Sequence, residues 1–436
     1  MSNFFSLPTL PGPVAGILTS ILTVWGYVWW FVLPLIAGIV LWEAWLLHLH
    51  YQWAHNIHWS FLEIRIPKNV LKTPRAMEQI FAAAHAPYSY GYSWVQKYIQ
   101  GMDEYWFSFE IIARNGETHF YLRTPNALRN MMESAIYGQY PEAEISEADD
   151  YLEEMPKALP NRTFDLAGFE EVLRDPGYVP IRTYESFEDA VEERRVDPIA
   201  GLMEIMSKLK EGEQLWYQLL VRPTGDEFRK EGADAIDELH GLKKEEHHGS
   251  WFPKIDLGFT FSQALRAPFQ HPGEHEAHEE RKEEGSQRMF LPVHQQEWAN
   301  AVQKKIQKLA FDATVRFMVI TERDVAPADS GHLMSLHGFV RQFNSPYMNQ
   351  LKPEKSTTTA GWAVKGLFKK TRLQYRKRLL YEHYRNILLG PTATLNIEEL
   401  ATIYHFPIAA VSTAELEKVE SRKGSPPAAL PIIEEE

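Results

Sequence analysis

Residues 110–125 read EIIARNGETHFYLRTP, two β-forming runs on either side of Asn115-Gly116. Asn-Gly supplies the positive φ angles of a tight hairpin, so Tyr105–Ala113 and Thr118–Arg123 are expected to pair as antiparallel strands. Outward from this hairpin, Trp59–Ile66 alternates, with Leu62, Ile64 and Ile66 on one face and Glu63 and Arg65 on the other. That is the period of a half-buried strand. Thr73-Pro74 has the form of an N-cap and first helical residue ahead of Met77, Ile80, Phe81 and Ala84, and Thr124-Pro125 the same form ahead of Leu128, Met131, Met132, Ala135 and Ile136. Pro141 closes the second helix, and Ala143–Ala148 can form a fourth strand. The order β-α-β-β-α-β is the split βαβ, ferredoxin-like arrangement, an antiparallel sheet with one face under two helices. Isolated acids such as Glu110 read as solvent-facing strand positions.

The same grammar recurs with a large insertion. Strand Phe164–Leu173, helix Pro198–Leu209, strand Gln214–Arg222, strand Thr314–Thr321 and helix His332–Phe343 follow in order. The paired strands of this second unit are separated by a helix at about Asp226–Leu239, a polar stretch and a helix at about His294–Leu309. Within the polar stretch, residues 271–284 read HPGEHEAHEERKEE, where His275 and either His278 or Glu279 could share a helical face as metal ligands. No apolar periodicity surrounds them to build a rigid shell, so a solvated loop is the expectation and no metal or cofactor is assigned.

The ends differ from the middle. The first 42 residues carry no charged side chain, and Val14–Trp42 is a nearly unbroken apolar and aromatic run. A helix needs roughly 20 residues to cross the hydrocarbon core, so one span fits, placed at about 24–47. Trp25, Tyr27, Trp29 and Trp30 at one end and Trp42 and Trp45 at the other suit the two headgroup belts, with Pro34 between them expected to kink the helix. Glu43 lies near enough to the end of the span for its carboxylate to reach the interface. Arg65, Lys68, Lys72 and Arg75 follow the span while the N-terminal tail has no Lys or Arg, which places the N-terminus outside and the body in the cytoplasm, on an inner, cytoplasmic membrane.

The fold class is therefore α+β, a single N-terminal transmembrane helix followed by two ferredoxin-like units. The expected boundaries are 1–50 for the anchor, 51–155 for the first unit and 156–360 for the second, with the polar insertion at 243–290. Residues 361–436 then form a basic helix and a mostly extended C-terminal tail rich in proline and ending Glu434-Glu435-Glu436.

A formal charge of −13 argues against general nucleic-acid binding, and the absence of cysteine excludes disulfides, thiolate zinc sites and a Cys nucleophile. One stretch runs the other way: Lys365, Lys369, Lys370, Arg372, Arg376, Lys377, Arg378 and Arg385 lie between 365 and 385 with Glu382 alone against them. Leu373, Leu379, Leu380 and Tyr384 are interleaved, as on an amphipathic helix. Such a helix can lie on anionic lipid, touch a nucleic-acid backbone or pair with the protein's own acidic surface. Catalytic signatures are missing. Gly361 and Gly366 have phosphate-loop spacing, but Leu367-Phe368 follow where Lys and Ser or Thr are required. His332 and His337, near Ser330 and Ser335, sit among Leu333, Leu336, Phe339 and Val340, which read as helix packing.

The wording of several segments resembles the N-terminal, non-ATPase part of membrane-anchored type IV secretion or conjugative DNA-transfer ATPases of the HerA and FtsK-like class. The similar stretches are FLEIRIPKNVLKTPRAMEQIFAA (61–83), EIIARNGETHFYLRTP (110–125), ESAIYGQYPEAEI (133–145), GEQLWYQLLVRP (212–223) and LNIEELATIYHFP (395–407). The last, with SRKGSPPAALP (421–431), looks like the junction that leads into the motor in such proteins, and this chain ends there. The resemblance implies a membrane-bound assembly or adaptor module beside a separate motor, and it carries over no catalytic residue. Two readings from different classes follow, with a membrane-bound hydrolase, which would need a polar pocket, as a third. The first is a non-enzymatic scaffold that presents sheet edges and helices to an ATPase or to copies of itself. The second is a nucleic-acid or anionic-lipid binding module acting through 365–385.

Overall fold

The computed structural model describes residues 12–67, 72–90, 92–114, 116–187, 197–241, 292–325, 328, 331–361, 363–364 and 368–407. The polar insertion with His275, His278 and Glu279, the basic-stretch residue Lys365, and the tail from 408 lie outside the described residues. The chain divides into two units, which among the described residues are 12–56 with 92–103, and the remainder.

The first unit is built on α1 (Gly12–His55), a helix that runs through Pro34. The segment Trp25–His55 is long and apolar enough to cross a membrane, and none of its most apolar window is buried. From Trp25 to Trp45 the rise is about 30 Å, the thickness of a hydrocarbon core. The unit also holds a short helix, α3 (Trp94–Tyr98), opened by a Ser93–Gln96 capping box that sequence reading missed. Trp94, Val95 and Ile99 are exposed there.

In the second unit every pairing is antiparallel, and the strands form one nine-stranded sheet. Its strands are β1 (Trp59–Arg65), β2 (Phe107–Arg114), β3 (Glu117–Pro125), β4 (Glu144–Glu147), β5 (Phe164–Leu173), β6 (Glu213–Pro223), β7 (Ala310–Glu322), β8 (Leu351–Pro353) and β9 (Ala393–Asn396). The order is β4-β1-β3-β2-β6-β7-β5-β8, with β9 on β7. Residues 59–147 thus contribute their fourth, first, third and second strands in that order, and the later segment does the same from the opposite edge. The two sets meet where β2 pairs with β6, from Phe107↔Val221 to Ala113↔Leu215. The hairpin closes as expected, with Arg114 opposite Glu117 and Gly116 at φ 84°.

Alternation puts two cores on the two faces. On one, Ile111, Leu215, Phe317 and Val319 pack under α2 (Arg75–Ala84), α4 (Arg129–Gln139), α6 (Ala200–Ser207), α9 (His332–Arg341) and α11 (Ile397–Ile403). On the other, Ile112, Trp216, Met318 and Ile320 pack under α5 (Tyr151–Glu154) and α10 (Lys369–Arg385). The middle strands are therefore buried on both faces, and β1 is not half-buried: its side with Glu63 is covered as well.

Three local expectations are corrected. Thr73 makes no side-chain cap; its carbonyl accepts from Ala76 N at 3.0 Å, and α2 starts after Pro74. Thr124-Pro125 ends β3, where Thr124 pairs with Ser60, and α4 begins only at Arg129. Residues 393–403, expected to be extended tail, form β9 and α11, which opens on an Asn396–Glu399 capping box. That last helix is pinned by α8 (Val293–Ile306) and the turn after it. Lys305 meets Glu399 at 2.9 Å with both side chains fully buried, and Lys308 meets Glu398 at 2.6 Å. The other flank of the insertion, α7 (Glu227–Leu239), packs against α8, where Gly232 faces Val302 and Ile306.

The sheet edges are short and blunted. On β8, Asn344 brackets Leu351, donating to its carbonyl at 3.1 Å and accepting from its N–H at 2.8 Å, and Pro353 has no N–H to offer. The opposite edge, β4, has four residues and begins and ends on glutamate. Both are devices that discourage strand addition.

Candidate functional site

The basic stretch becomes α10, and the helix divides along its length. Toward its C-terminal end Leu380, Tyr381 and Tyr384 are buried against the sheet. Tyr381 donates to the Pro156 carbonyl at 2.7 Å, and Arg385 donates to the Leu152 carbonyl at 3.2 Å. Lys377 is buried in an ion pair with Asp165 at 2.8 Å, and Arg376 donates to the Thr358 carbonyl at 3.0 Å. Burial and the charge of Arg372 push the Arg376 pKa down. These three cations and Tyr381 hold the helix in place. Lys369, Lys370, Arg372 and Arg378 are exposed, alongside Phe368 at 79% and Tyr375 at 65% exposure. Phe368 sits at φ 58°, a left-handed conformation uncommon for a bulky residue. The N-terminal half is thus a cationic surface studded with aromatic rings.

Beneath the buried half runs a chain of charged and polar groups across the middle strands. Asp150 takes a two-pronged contact from Arg123, at 2.6 and 2.8 Å, and caps α5 by accepting from Leu152 N at 2.9 Å. Arg123 Nε donates to Glu110 at 3.0 Å while its guanidinium lies 4.1 Å from the Phe61 ring centre. Glu110 also accepts from Ser108 at 2.7 Å, Gln218 at 3.1 Å and Tyr151 at 2.8 Å. Gln218 in turn accepts from Arg316, which clasps Glu170 through Nε at 2.8 Å and Nη2 at 2.5 Å, and donates to the Leu388 carbonyl at 3.0 Å. The Tyr151 and Tyr384 hydroxyls lie 2.6 Å apart, joining the cover to the sheet.

Glu110 is therefore fully buried, not a solvent-facing position. Its burial is tolerable because four donors satisfy the carboxylate. Burial pushes the Asp150 carboxyl up, but the Arg123 hydrogen bonds and charge outweigh it and hold the group below its ordinary range. Burial and the Glu110 charge raise the Tyr151 and Tyr384 hydroxyls well above theirs, so both stay protonated as donors. The network locks α10 to the sheet and leaves the basic half facing outward.

The remaining candidates fall in different places. Trp25, Tyr27, Trp29, Trp30, Trp42 and Trp45 are all exposed on α1. His332 lies 3.2 Å from Glu213, His337 stacks on Phe169 with ring centres 4.1 Å apart, and Ser335 donates to the Gly331 carbonyl, so these groups are not assembled around one another. Among the described residues no group of three or more His, Cys, Asp or Glu side chains is placed to hold a metal ion. The Glu110–Arg316 network was missed by sequence reading; the signal for it was Glu110, Arg123, Glu170 and Arg316, charges set within runs otherwise rich in β-formers.

Residues 53–418 match the family model described as a domain of unknown function (DUF8128), and the chain belongs to that family. The match begins beyond most of α1 and includes the whole sheet. No curated protein matches the chain.

Proposed function

We propose that this member of the DUF8128 family is a membrane-anchored scaffold or adaptor with no catalytic activity of its own. In this reading α1 crosses the inner membrane once, with the N-terminus outside and the body in the cytoplasm. The observation that carries the proposal is the unburied apolar surface of Trp25–His55, which water would penalise and lipid would cover. The exposed Trp94, Val95 and Ile99 of the same unit suit the headgroup region. The body is read as two ferredoxin-like units fused through their second strands, a reading supported by the matching strand orders. Because both sheet edges are blunted, the partner contact is assigned to the exposed half of α10 rather than to strand addition. The resemblance to secretion and DNA-transfer proteins makes a translocation-type ATPase the expected partner.

The test is a mild-detergent pull-down of the full-length protein, identified by mass spectrometry, with and without Lys369, Lys370, Arg372 and Arg378 changed to Ala. A stoichiometric ATPase is expected from the unmutated protein. Recovery of no protein partner overturns the adaptor reading. Topology is tested separately: the chain has no cysteine, so Ser2→Cys and Glu117→Cys can each be probed alone with an impermeant maleimide. Labelling of intact cells at position 2 and not at 117 is expected.

A second reading rests on the same exposed cations with Phe368 and Tyr375 beside them, a combination that also suits nucleic acid or anionic lipid. It predicts binding that falls steeply with salt.

A further inference from the structure

A cleft of about 590 Å³ lies along α9 and β8, and its lining includes Glu171, Met334, His337, Gly338, Arg341 and Lys352 but no residue of the basic helix. Three observations set it apart from a packing fault. Glu171 has a side chain only 1% exposed, yet neither of its carboxylate oxygens has a hydrogen-bond partner within the protein. The imidazole of His337 is beside it, but Nδ1 stands 3.7 Å from Oε1, too far for a hydrogen bond. Its neighbour Glu170, by contrast, has Arg316 at 2.5 Å on Oε1, although its Oε2 also lacks a hydrogen-bond partner within the protein. Leaving a buried carboxylate unsatisfied is costly, and burial accordingly pushes the Glu171 carboxyl up.

The second observation is Gly338. It lies within α9, where glycine costs about 1 kcal/mol relative to alanine. A Cβ there would meet nothing within 4 Å, so no close approach of another segment explains the glycine. What its missing side chain preserves is room in the cleft. Third, the charges in the lining have opposite signs: Arg341 and Lys352 are exposed, whereas Glu171 is sunk in the wall. A simple cation meets one attractive group and two repulsive ones. A molecule carrying both signs can satisfy all three.

We infer that this cleft binds a small zwitterion of the amino-acid class, with its ammonium group on Glu171, its carboxylate toward Arg341 and Lys352, and its aliphatic part against Val340 and Met334. The ammonium supplies the donors that Glu171 lacks, and charge-assisted hydrogen bonds of this kind are the strong ones. His337, held by its stack on Phe169, forms the neighbouring wall. The site lies outside the surface assigned to the adaptor role, so either reading can fail without the other.

The test is isothermal titration calorimetry on the full-length protein in mild detergent. The probes are L-leucine and L-lysine, with isopentylamine and 4-methylpentanoate as amine-only and acid-only halves of leucine. Saturable binding of at least one amino acid is expected, at least tenfold tighter than either half. Glu171→Gln should weaken it at least tenfold. Gly338→Leu places a side chain in open space on a helix, so the protein should fold with an unchanged circular dichroism spectrum while binding is lost. Absence of saturable binding to both amino acids overturns the inference, as does binding that Gly338→Leu leaves unchanged. An amine half that binds as tightly as leucine overturns the zwitterion assignment.

Discussion

The two faces of the sheet are equally buried and chemically unlike. One is covered by five helices and presents mainly apolar strand side chains, from Leu62 and Ile64 to Phe317 and Val319, with the buried Lys305–Glu399 pair confined to its helix layer and Glu171 near β8. The other mixes Trp216, Met318 and Ile320 with Glu110, Arg123, Gln218, Arg316 and Glu170, all sealed under α5, α10 and the loop after it. The apolar face is held by area removed from water, which is forgiving of direction. The mixed face is held by geometry, because each buried charge is tolerable only while its partners stay in place. The difference assigns separate tasks: the first face supplies stability, and the second specifies where α10 sits.

The sharpest way to break that contrast is Arg316→Ala, which strands Glu170 and Gln218 in the interior. It should cost about 3–5 kcal/mol, read as a shift in the denaturant midpoint of the detergent-solubilised protein. Changing Arg316 and Glu170 together to Met and Leu should recover much of that loss; if it does not, the pair is more than compensated burial. On the apolar face, Leu219→Ala should cost about 2–5 kcal/mol through a cavity, with α10 remaining as resistant to proteolysis as in the parent. Tyr384→Phe removes one hydroxyl from the Tyr151 contact and should cost about 1–2 kcal/mol, with α10 cleaved more readily. Asp150 sharpens the comparison through pH. Its folded pKa lies below the ordinary value, so its contribution is present above the normal carboxylate range and is lost as pH falls through it. Thermal melts from pH 7 to pH 3 should show this fall, and Asp150→Asn should flatten it. The smallest effect is expected from Lys369, Lys370 and Arg378 changed to Ala, within about 0.5 kcal/mol of the parent, since these side chains face solvent.

The apolar face was also the legible one. Asn115-Gly116 announced the hairpin, β5 spans Phe164–Leu173 as its pattern indicated, and the alternation of Leu62 and Ile64 pointed to a core side. What alternation could not reveal was a cover on the other side. A glutamate at position 110 looks solvent-facing unless one knows that Tyr151 and Tyr384 arrive above it, the latter from far along the chain. The same blindness applied to α10, whose charge run gave no sign that Lys377 and Arg385 face inward while Lys369 and Lys370 face out. β9 was missed because it adds only four residues to β7. Thr-Pro pairs misled for a simpler reason: the dipeptide fits the end of a strand as well as the start of a helix, and at 124–125 the strand partner Ser60 decided it.

The late arrival of the mixed face's cover also sets a timetable. A ribosome adds roughly 5–20 residues per second, so the interval between completing Arg123 and delivering Leu388 is of the order of 15–50 s. Throughout that interval Glu110 and Arg123 have one another but lack Tyr384, and Trp216 lacks the rings that later flank it. The nascent chain passes through a stage in which four of the five helices on one side have been made while the other side is still open. The segment that displays the basic surface is thus also the one that closes that side.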